Sequence, residues 1–333
     1  MASAPDMLVL GGGGVLGEAW MGGLLAGYED ATGYKLADCE AFLGTSAGSI
    51  VAARIAAGRA LPRPGGKADL LPTVPEVRFR RVPAAVDTVV APVLNVAQHS
   101  LAPLAAAAAA LRTPISSLTT PAAELALALS APFAEAALGV TTPAGALARI
   151  AALKALPRAS GTLGALRESL ERQQLSFDGR LLVAAVDRAT GRRVIFGAPG
   201  APEASVADAV IASCTVPWLF APVPIGGAEY VDGGVWSPAN LDAAPVKRGT
   251  RVLCLNPTAG LRGPSAVLSL ARNASRSVTG FEATVLKARG AEVSVIAPNR
   301  EAGLAMSPNL MAFGPQEEVL AAGYRQGLAL AAA

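Results

Sequence analysis

Short apolar runs alternate with longer stretches of helical character at both ends of the chain. Such runs predict buried strands, and they occupy residues 7–10, 41–43, 181–186, 194–196, 229–231, 251–255 and 293–297. The helical stretches occupy residues 18–30, 47–57, 206–213, 266–289 and 316–330. Strands that alternate with helices favour a parallel sheet with helices on its faces. We therefore predict an α/β fold of three layers around a central, mostly parallel sheet.

Residues 59–160 interrupt this pattern with recurrent proline and abundant alanine. Between Val82 and Ala148 the charged residues are only Asp87, Arg112, Glu124 and Glu135. The segment is too apolar for a solvated linker and too rich in proline for one long helix. We predict several short helices that form a cap, inserted into a single domain of residues 1–333. The cap either packs against the core as a helical subdomain or forms a lid that touches lipid.

The uncharged window 88–111 has the length of a membrane span, but prolines and polar side chains interrupt it. These are Pro92, Asn95, Gln98, His99 and Pro103. A spanning helix is therefore disfavoured. Peripheral contact of the cap with a membrane remains a hypothesis.

Composition narrows the classes of function. The chain is 52% hydrophobic and 16% charged, and its net charge of +3 gives no reason to expect a nucleic-acid partner. Its three cysteines are far apart and lack C-x-x-C spacing, and no basic segment precedes an apolar run at the N-terminus. Both features favour a cytoplasmic protein. The single histidine, His99, excludes any mechanism or metal site that needs two histidines.

The pentapeptide Gly44-Thr45-Ser46-Ala47-Gly48 matches the pattern G-x-S-x-G. It follows a predicted strand and precedes a predicted helix. A serine in this context lies on a tight strand-to-helix turn, with its hydroxyl above the sheet and a helix N-terminus beneath it. We therefore predict that Ser46 is a nucleophile. The alternative is that Ser46 only caps the helix.

A glycine-rich loop, residues 11–17, follows the first strand and opens a helix. Glycines let backbone N–H groups turn toward negative charge, which predicts an oxyanion hole at Gly12, Gly13 and Gly14. The same loop contains G-x-G-x-x-G, and two acids follow about twenty residues later, at Asp38 and Glu40, as in dinucleotide-binding sites. We favour the oxyanion loop because these acids precede the second strand instead of ending it. A purely structural turn is a further alternative.

A serine nucleophile needs a base. His99 lies in the predicted cap with no strand end to hold it, and lysine does not occur at S-x-x-K spacing from Ser46. Asp232 ends a predicted strand and is followed by two glycines, which leave room for a close neighbour. Burial would raise the pKa of this carboxyl from its ordinary value and make it a better base. The alternative is that Asp232 begins an Asp-Gly hairpin turn.

In combination and order, the glycine loop, the Ser46 elbow and the Asp-Gly-Gly segment resemble the patatin-like phospholipase family. The segment 212–217, Ala-Ser-Cys-Thr-Val-Pro, also resembles a proline-bearing segment that precedes the catalytic aspartate in that family. The likeness is good over residues 7–58 and 205–245 and poor over 59–160. Many relatives carry Lys or Arg where this chain has Leu16, which puts in doubt added electrostatic help with an anionic head group.

The resemblance implies a serine lipid acyl hydrolase with a Ser46–Asp232 dyad, an acyl-enzyme intermediate and backbone stabilisation by Gly12, Gly13 and Gly14. It implies a lipid or other acyl-ester substrate and no metal or organic cofactor. Two other classes stay open: a catalytically silent lipid-binding protein, and a nucleotide-binding oxidoreductase that uses the glycine loop. The hydrolase hypothesis requires the side chains of Ser46 and Asp232 to lie within hydrogen-bond reach.

Overall fold

The computed structural model describes residues 4–66, 149–150, 153–154, 161–217, 219–262, 266–307 and 309–332. Most of the predicted cap, His99 and the window 88–111 lie outside the described residues. The cap, its boundaries and its contact with lipid therefore stay predictions. No helix of the described part of the chain is long and apolar enough to cross a membrane.

One mixed sheet, with eight strands in the described part of the chain, forms the centre of the fold. The strands are β1 (Met7–Leu10), β2 (Ala41–Thr45), β3 (Leu181–Asp187), β4 (Arg193–Phe196), β5 (Val223–Ile225), β6 (Ala228–Asp232), β7 (Arg251–Leu255) and β8 (Glu292–Ile296). Their order is β5-β6-β3-β2-β1-β7-β8, with β4 also paired to β3. The pairs among β3, β2, β1, β7 and β8 are parallel. The predicted α/β class with a mostly parallel sheet is confirmed.

The described residues form seven α-helices, and five of these correspond to the predicted helical stretches. They are α1 (Gly14–Thr32), α2 (Ala47–Ala56), α3 (Gly164–Arg172), α4 (Val206–Cys214), α5 (Ala266–Ala288), α6 (Arg300–Ala305) and α7 (Gln316–Ala332). The prediction missed β5, α3 and α6. The strand β5 has three residues with a proline at its centre, α6 has six residues, and α3 buries only Leu166 and Leu170 of its nine. None offers enough apolar positions to show a period.

Helix α1 is apolar around most of its circumference because α7 covers the side that the sheet leaves free. Its residues from Val15 to Tyr28 are almost all buried. The two helices approach closely through glycines on both, since a Cβ at Gly27 would lie 2.2 Å from the Tyr324 carbonyl oxygen and one at Gly327 would lie 2.0 Å from that of Leu24. This packing fixes α1, and with it the glycine loop from which α1 begins.

Strands β2 and β6 run toward each other along one edge of β3. Thr45 of β2 pairs with Ala184, and Asp232 of β6 pairs with the next residue, Ala185. Strand β4 pairs with the same two residues, Ala184 and Ala185, along the opposite edge of β3. Because a strand residue has only two lateral neighbours, β2 and β6 must share the remaining edge. Their carboxyl ends therefore meet, so that Ser46, directly after β2, lies near Asp232, the last residue of β6.

Candidate active site

Ser46 connects β2 to α2 in a backbone conformation that few residues other than glycine adopt. Its φ is 51° and its ψ is −126°. A conformation of this kind costs about 1–3 kcal/mol and persists where the surrounding structure imposes it, often at functional sites. The turn has no room for larger neighbours, because a Cβ at Gly44 would lie 2.3 Å from the Ser49 Cα. The strand, sharp turn and helix thus have the arrangement that G-x-S-x-G predicts.

The hydroxyl of Ser46 donates a hydrogen bond to the carboxylate of Asp232. The distance from Ser46 Oγ to Asp232 Oδ2 is 2.7 Å, which meets the requirement set by the hydrolase hypothesis. The Ser46 side chain makes no capping bond to α2, so the alternative of a simple helix cap does not describe it. Asp232 is followed by a 3₁₀ turn over Gly233–Val235, where the other alternative expects a hairpin.

Burial sets the protonation of Asp232. The residue is 5% exposed, and loss of solvent raises the pKa of its carboxyl to about 7. Two hydrogen bonds to the carboxylate, from the Gly234 N–H and from the Ser46 hydroxyl, act in the opposite direction but do not outweigh burial. A carboxyl with a pKa near neutrality can accept a proton in one step and release it in the next, which suits general-base work.

Ser213, at the end of α4, links the nucleophile turn to β3. Its hydroxyl accepts the Ser46 N–H at 2.8 Å and donates to the Ala184 carbonyl oxygen at 2.6 Å. Its side chain is fully buried, so neither partner has water as a substitute. The sequence indicated the segment around Ser213 through its resemblance, but it gave no sign of this bridging role.

We expect Ser213→Ala to lower both stability and ester hydrolysis. The substitution leaves a buried N–H and a buried carbonyl without partners, at a cost of about 1–3 kcal/mol, and it releases the backbone of Ser46. Chemical denaturation and kcat for a soluble ester measure the two effects. Thr215→Val is the matched control, because the Thr215 hydroxyl donates to the Ile211 carbonyl oxygen and, among the described residues, makes no hydrogen bond to Ser46. Equal losses of kcat in both variants would contradict the bridging role.

The side chain of Asn240 links the end of β2 to the residue after β6 through hydrogen bonds. Its Nδ2 lies 3.1 Å from Thr45 Oγ1, 3.2 Å from the Gly233 carbonyl oxygen and 2.9 Å from that of Ser237. Thr45, directly before Ser46, and Gly233, directly after Asp232, are thus held by one buried amide. Asn240 has a φ of 52°, a left-handed conformation that asparagine tolerates better than most residues. Asn240 lies eight residues after Asp232, and no pattern in the sequence indicates its role.

The glycine loop lies against Ser46, but its three predicted donors are not equivalent. A Cβ at Gly12 would lie 3.4 Å from the Ser46 Cβ, so the loop borders the nucleophile. The Gly12 N–H is bonded to the Pro238 carbonyl oxygen at 2.8 Å in this structure, so the oxyanion role predicted for Gly12 would require that bond to be exchanged. Within the described part of the chain, the N–H groups of Gly13 and Gly14 have no acceptor. The same holds for Ala47, the residue after Ser46, which no glycine pattern in the sequence indicates as a donor.

The dinucleotide alternative loses its geometric basis. Asp38 and Glu40 are exposed and precede β2, whereas the glycine loop follows the carboxyl end of the parallel strand β1. The acids and the loop therefore lie at opposite ends of the sheet. The space beside Gly13 is filled by Pro257, 2.6 Å from where a Cβ would stand. This loop has no acid at the position where a ribose would need one.

A largely apolar cavity opens above the Ser46–Asp232 pair. It is bordered by the glycine loop on one side and by apolar side chains on the others, among them Ile50, Leu163, Leu166, Leu219, Phe220 and Leu261. Such walls suit hydrocarbon. Among the described residues, no cluster of His, Cys, Asp and Glu could hold a metal ion. Leu16, where many relatives have a cation, is fully buried.

Comparison with known proteins gives a family match. The family model described as Patatin-like phospholipase matches residues 8–245, a range that includes the glycine loop, Ser46 and Asp232. Among solved structures, the chain is similar to VipD from Legionella pneumophila, with 16% sequence identity and a TM-score of 0.42. That match covers 99% of this chain and 67% of the VipD chain. No curated protein matches the chain.

Proposed function

The chain belongs to the patatin-like phospholipase family, a family of lipid acyl hydrolases, and on this premise we propose that Ser46 and Asp232 form its catalytic dyad. The activity we propose is that of a phospholipase A, a lysophospholipase or an esterase. The single observation that supports it most is the 2.7 Å hydrogen bond from Ser46 Oγ to Asp232 Oδ2 at the floor of an apolar cavity. A hydroxyl aimed at a desolvated carboxylate is the geometry that a nucleophile and its base require.

The acylation step begins when Ser46 Oγ attacks the ester carbonyl carbon. Asp232 Oδ2 takes the hydroxyl proton as the new C–O bond forms, and the negative charge moves to the carbonyl oxygen. We propose that the N–H groups of Gly13, Gly14 and Ala47 stabilise this oxyanion, since they lie beside Ser46 without acceptors. The bond to the alcohol then breaks, and Asp232 returns the proton to the leaving oxygen. The product of the acylation step is an acyl-serine at position 46.

Deacylation uses the same groups with water as the nucleophile. Asp232 takes a proton from the water as its oxygen attacks the acyl carbon. Collapse of the tetrahedral intermediate breaks the bond to Ser46 Oγ, which recovers the proton from Asp232, and the fatty acid leaves. Because the aspartate is both acceptor and donor in each half, a pKa near 7 serves it better than its ordinary value of 3.8.

The pH dependence of hydrolysis tests the assignment of Asp232. Only the ionised carboxylate can accept the Ser46 proton, so we expect kcat/KM to rise with pH through about 7 and to level off above it. Below the midpoint the loss is about tenfold for each pH unit. The measurement is initial rates of a p-nitrophenyl ester between pH 5 and 9.

Two other titratable groups line the same cavity, Glu18 and Cys214. Burial raises the pKa of Glu18 to about 7 and raises that of the Cys214 thiol well above its usual value. The acid limb must therefore persist in Glu18→Gln, whatever its overall rate. A flat profile in the wild type between pH 5 and 8 would contradict a buried aspartate base. Activity that survives in Ser46→Ala would exclude the dyad altogether.

A further inference from the structure

Glu18 is a charged residue inside the candidate active site to which the proposed mechanism gives no task. It lies on α1, one helical turn after Gly14, and lines the same cavity as Ser46 and Asp232. In the sequence it is the only charged residue between Asp6 and Glu29. Its neighbours on the helix are buried and apolar, and an acid within such a helix needs a reason.

Glu18 differs from the other polar side chains that line the described part of this cavity. Ser46 and Asp232 bond to each other. The hydroxyls of Thr258 and Ser275, which also line the cavity, lie 2.7 Å apart, and both also bond to the buried amide of Asn256. The Glu18 carboxyl has no hydrogen bond or ion pair among the described residues. Among these described side chains, the Glu18 carboxyl is therefore the one that is left to bind a ligand.

The pKa of Glu18 shows that nearby charges do not compensate the carboxyl for its burial. Burial raises the pKa of Glu18 to about 7, and the attraction of the Arg54 charge does not offset it. A carboxyl that is partly withdrawn from solvent and accepts no hydrogen bond from the described residues gains free energy when a ligand supplies a donor. Groups of this kind, in a cavity next to a nucleophile, are candidates for substrate contact.

We propose that Glu18 accepts a hydrogen bond from a hydroxyl of the leaving alcohol and thereby selects acyl esters of polyols over esters of simple alcohols. The proposal rests on the proposed hydrolase function. An acyl chain offers only hydrocarbon, which matches the leucine and phenylalanine walls and gives Glu18 nothing to bind. A partially acylated polyol, such as a monoglyceride, keeps free hydroxyls within a few bonds of the scissile oxygen. These hydroxyls are donors that a carboxyl in the lining of the same cavity can bind.

Two substrates with the same acyl chain test this assignment. Monooctanoylglycerol and methyl octanoate differ only in the leaving alcohol, and fatty acid release measures kcat/KM for both. The variants are Glu18→Met, which keeps the length of the side chain without polarity, and Glu18→Gln, which keeps one carbonyl acceptor. We expect Glu18→Met to lose at least tenfold in kcat/KM on the glyceride and to change less than threefold on the methyl ester. We expect Glu18→Gln to retain at least a third of the wild-type preference.

Three results would overturn the proposal. These are an equal loss on both esters in Glu18→Met, an unchanged preference in that variant, and a loss in Glu18→Gln as large as in Glu18→Met. An equal loss would indicate a structural role. Thermal unfolding and the rate of labelling by a fluorophosphonate are measured on each variant, since the label needs an activated serine but no polyol. Wild type that neither hydrolyses an ester nor takes the label would defeat the proposed function itself, which is a different outcome from a lost preference.

Discussion

Asp232→Asn is expected to lower kcat/KM for ester hydrolysis by a factor on the order of 10³, in a protein that remains folded. Asparagine has the size of aspartate and still offers Oδ1 to the Gly234 N–H, so the turn after β6 keeps its bond. It cannot take a proton, and an amide nitrogen facing Ser46 Oγ would donate where the mechanism needs an acceptor. The change therefore removes the base and leaves the cavity walls as they are.

The same substitution should not destabilise the protein at alkaline pH, which separates loss of the base from loss of the fold. In the folded state the pKa of Asp232 is raised from 3.8 to about 7, so the native protein binds this proton more tightly than the unfolded chain. Stability therefore falls as pH rises between these two values, by about 4 kcal/mol in total. The Asp232→Asn side chain carries no charge to bury, and we expect the melting temperature of this variant at pH 8 to equal or exceed that of wild type. A lower melting temperature together with lost activity would contradict this account.

Gly48→Ala is expected to prevent stable folding or to cost about 3 kcal/mol or more. A Cβ at this position would lie 2.0 Å from the Leu10 carbonyl oxygen and 2.8 Å from that of Gly11. Both are backbone atoms at the start of the glycine loop, so no side-chain rotation relieves the overlap. Relief requires α2 to move away from β1, and that movement separates Ser46 from the loop.

Gly280→Ala is the matched control, because no heavy atom lies within 4 Å of a Cβ there and the residue is inside α5. Alanine at such a site should stabilise the protein by about 0.5–1 kcal/mol. Chemical denaturation of both variants, together with soluble yield, measures the contrast. A Gly48→Ala protein as stable as wild type would show that the close contact between α2 and the loop is not required.

The sequence predicted the sheet well where strands are buried on both faces. Strands β1 and β7 have the predicted bounds, because continuous apolar runs flanked by glycine, charged or polar residues leave little choice of where they end. The conformation of Ser46 was also predictable, since G-x-S-x-G between a strand and a helix has one common geometry. The family assignment is confirmed by the model that matches residues 8–245.

The features that the sequence did not indicate depend on contacts between distant segments. The Gly12 N–H is taken by Pro238, more than two hundred residues away, and no local pattern in the loop could show that its donor is occupied. Ser213 and Asn240 are ordinary polar residues in the sequence, and their roles follow only from the meeting of β2 and β6 on β3. Glu18 did leave a signal, as a lone acid in a long apolar stretch, although its place beside Ser46 needed the packing of α1.

Covalent labelling with a fluorophosphonate tests the central claim, that Ser46 is a nucleophile activated by Asp232, most directly. The probe reacts with an activated serine whatever the natural ester is, and peptide mapping locates the adduct. We predict one adduct on the wild type, at Ser46, none on Ser46→Ala, and strongly slowed labelling of Asp232→Asn, with all three proteins folded by circular dichroism. Folded wild type that takes no label, or a Ser46→Ala protein labelled as fast as wild type, would contradict the account.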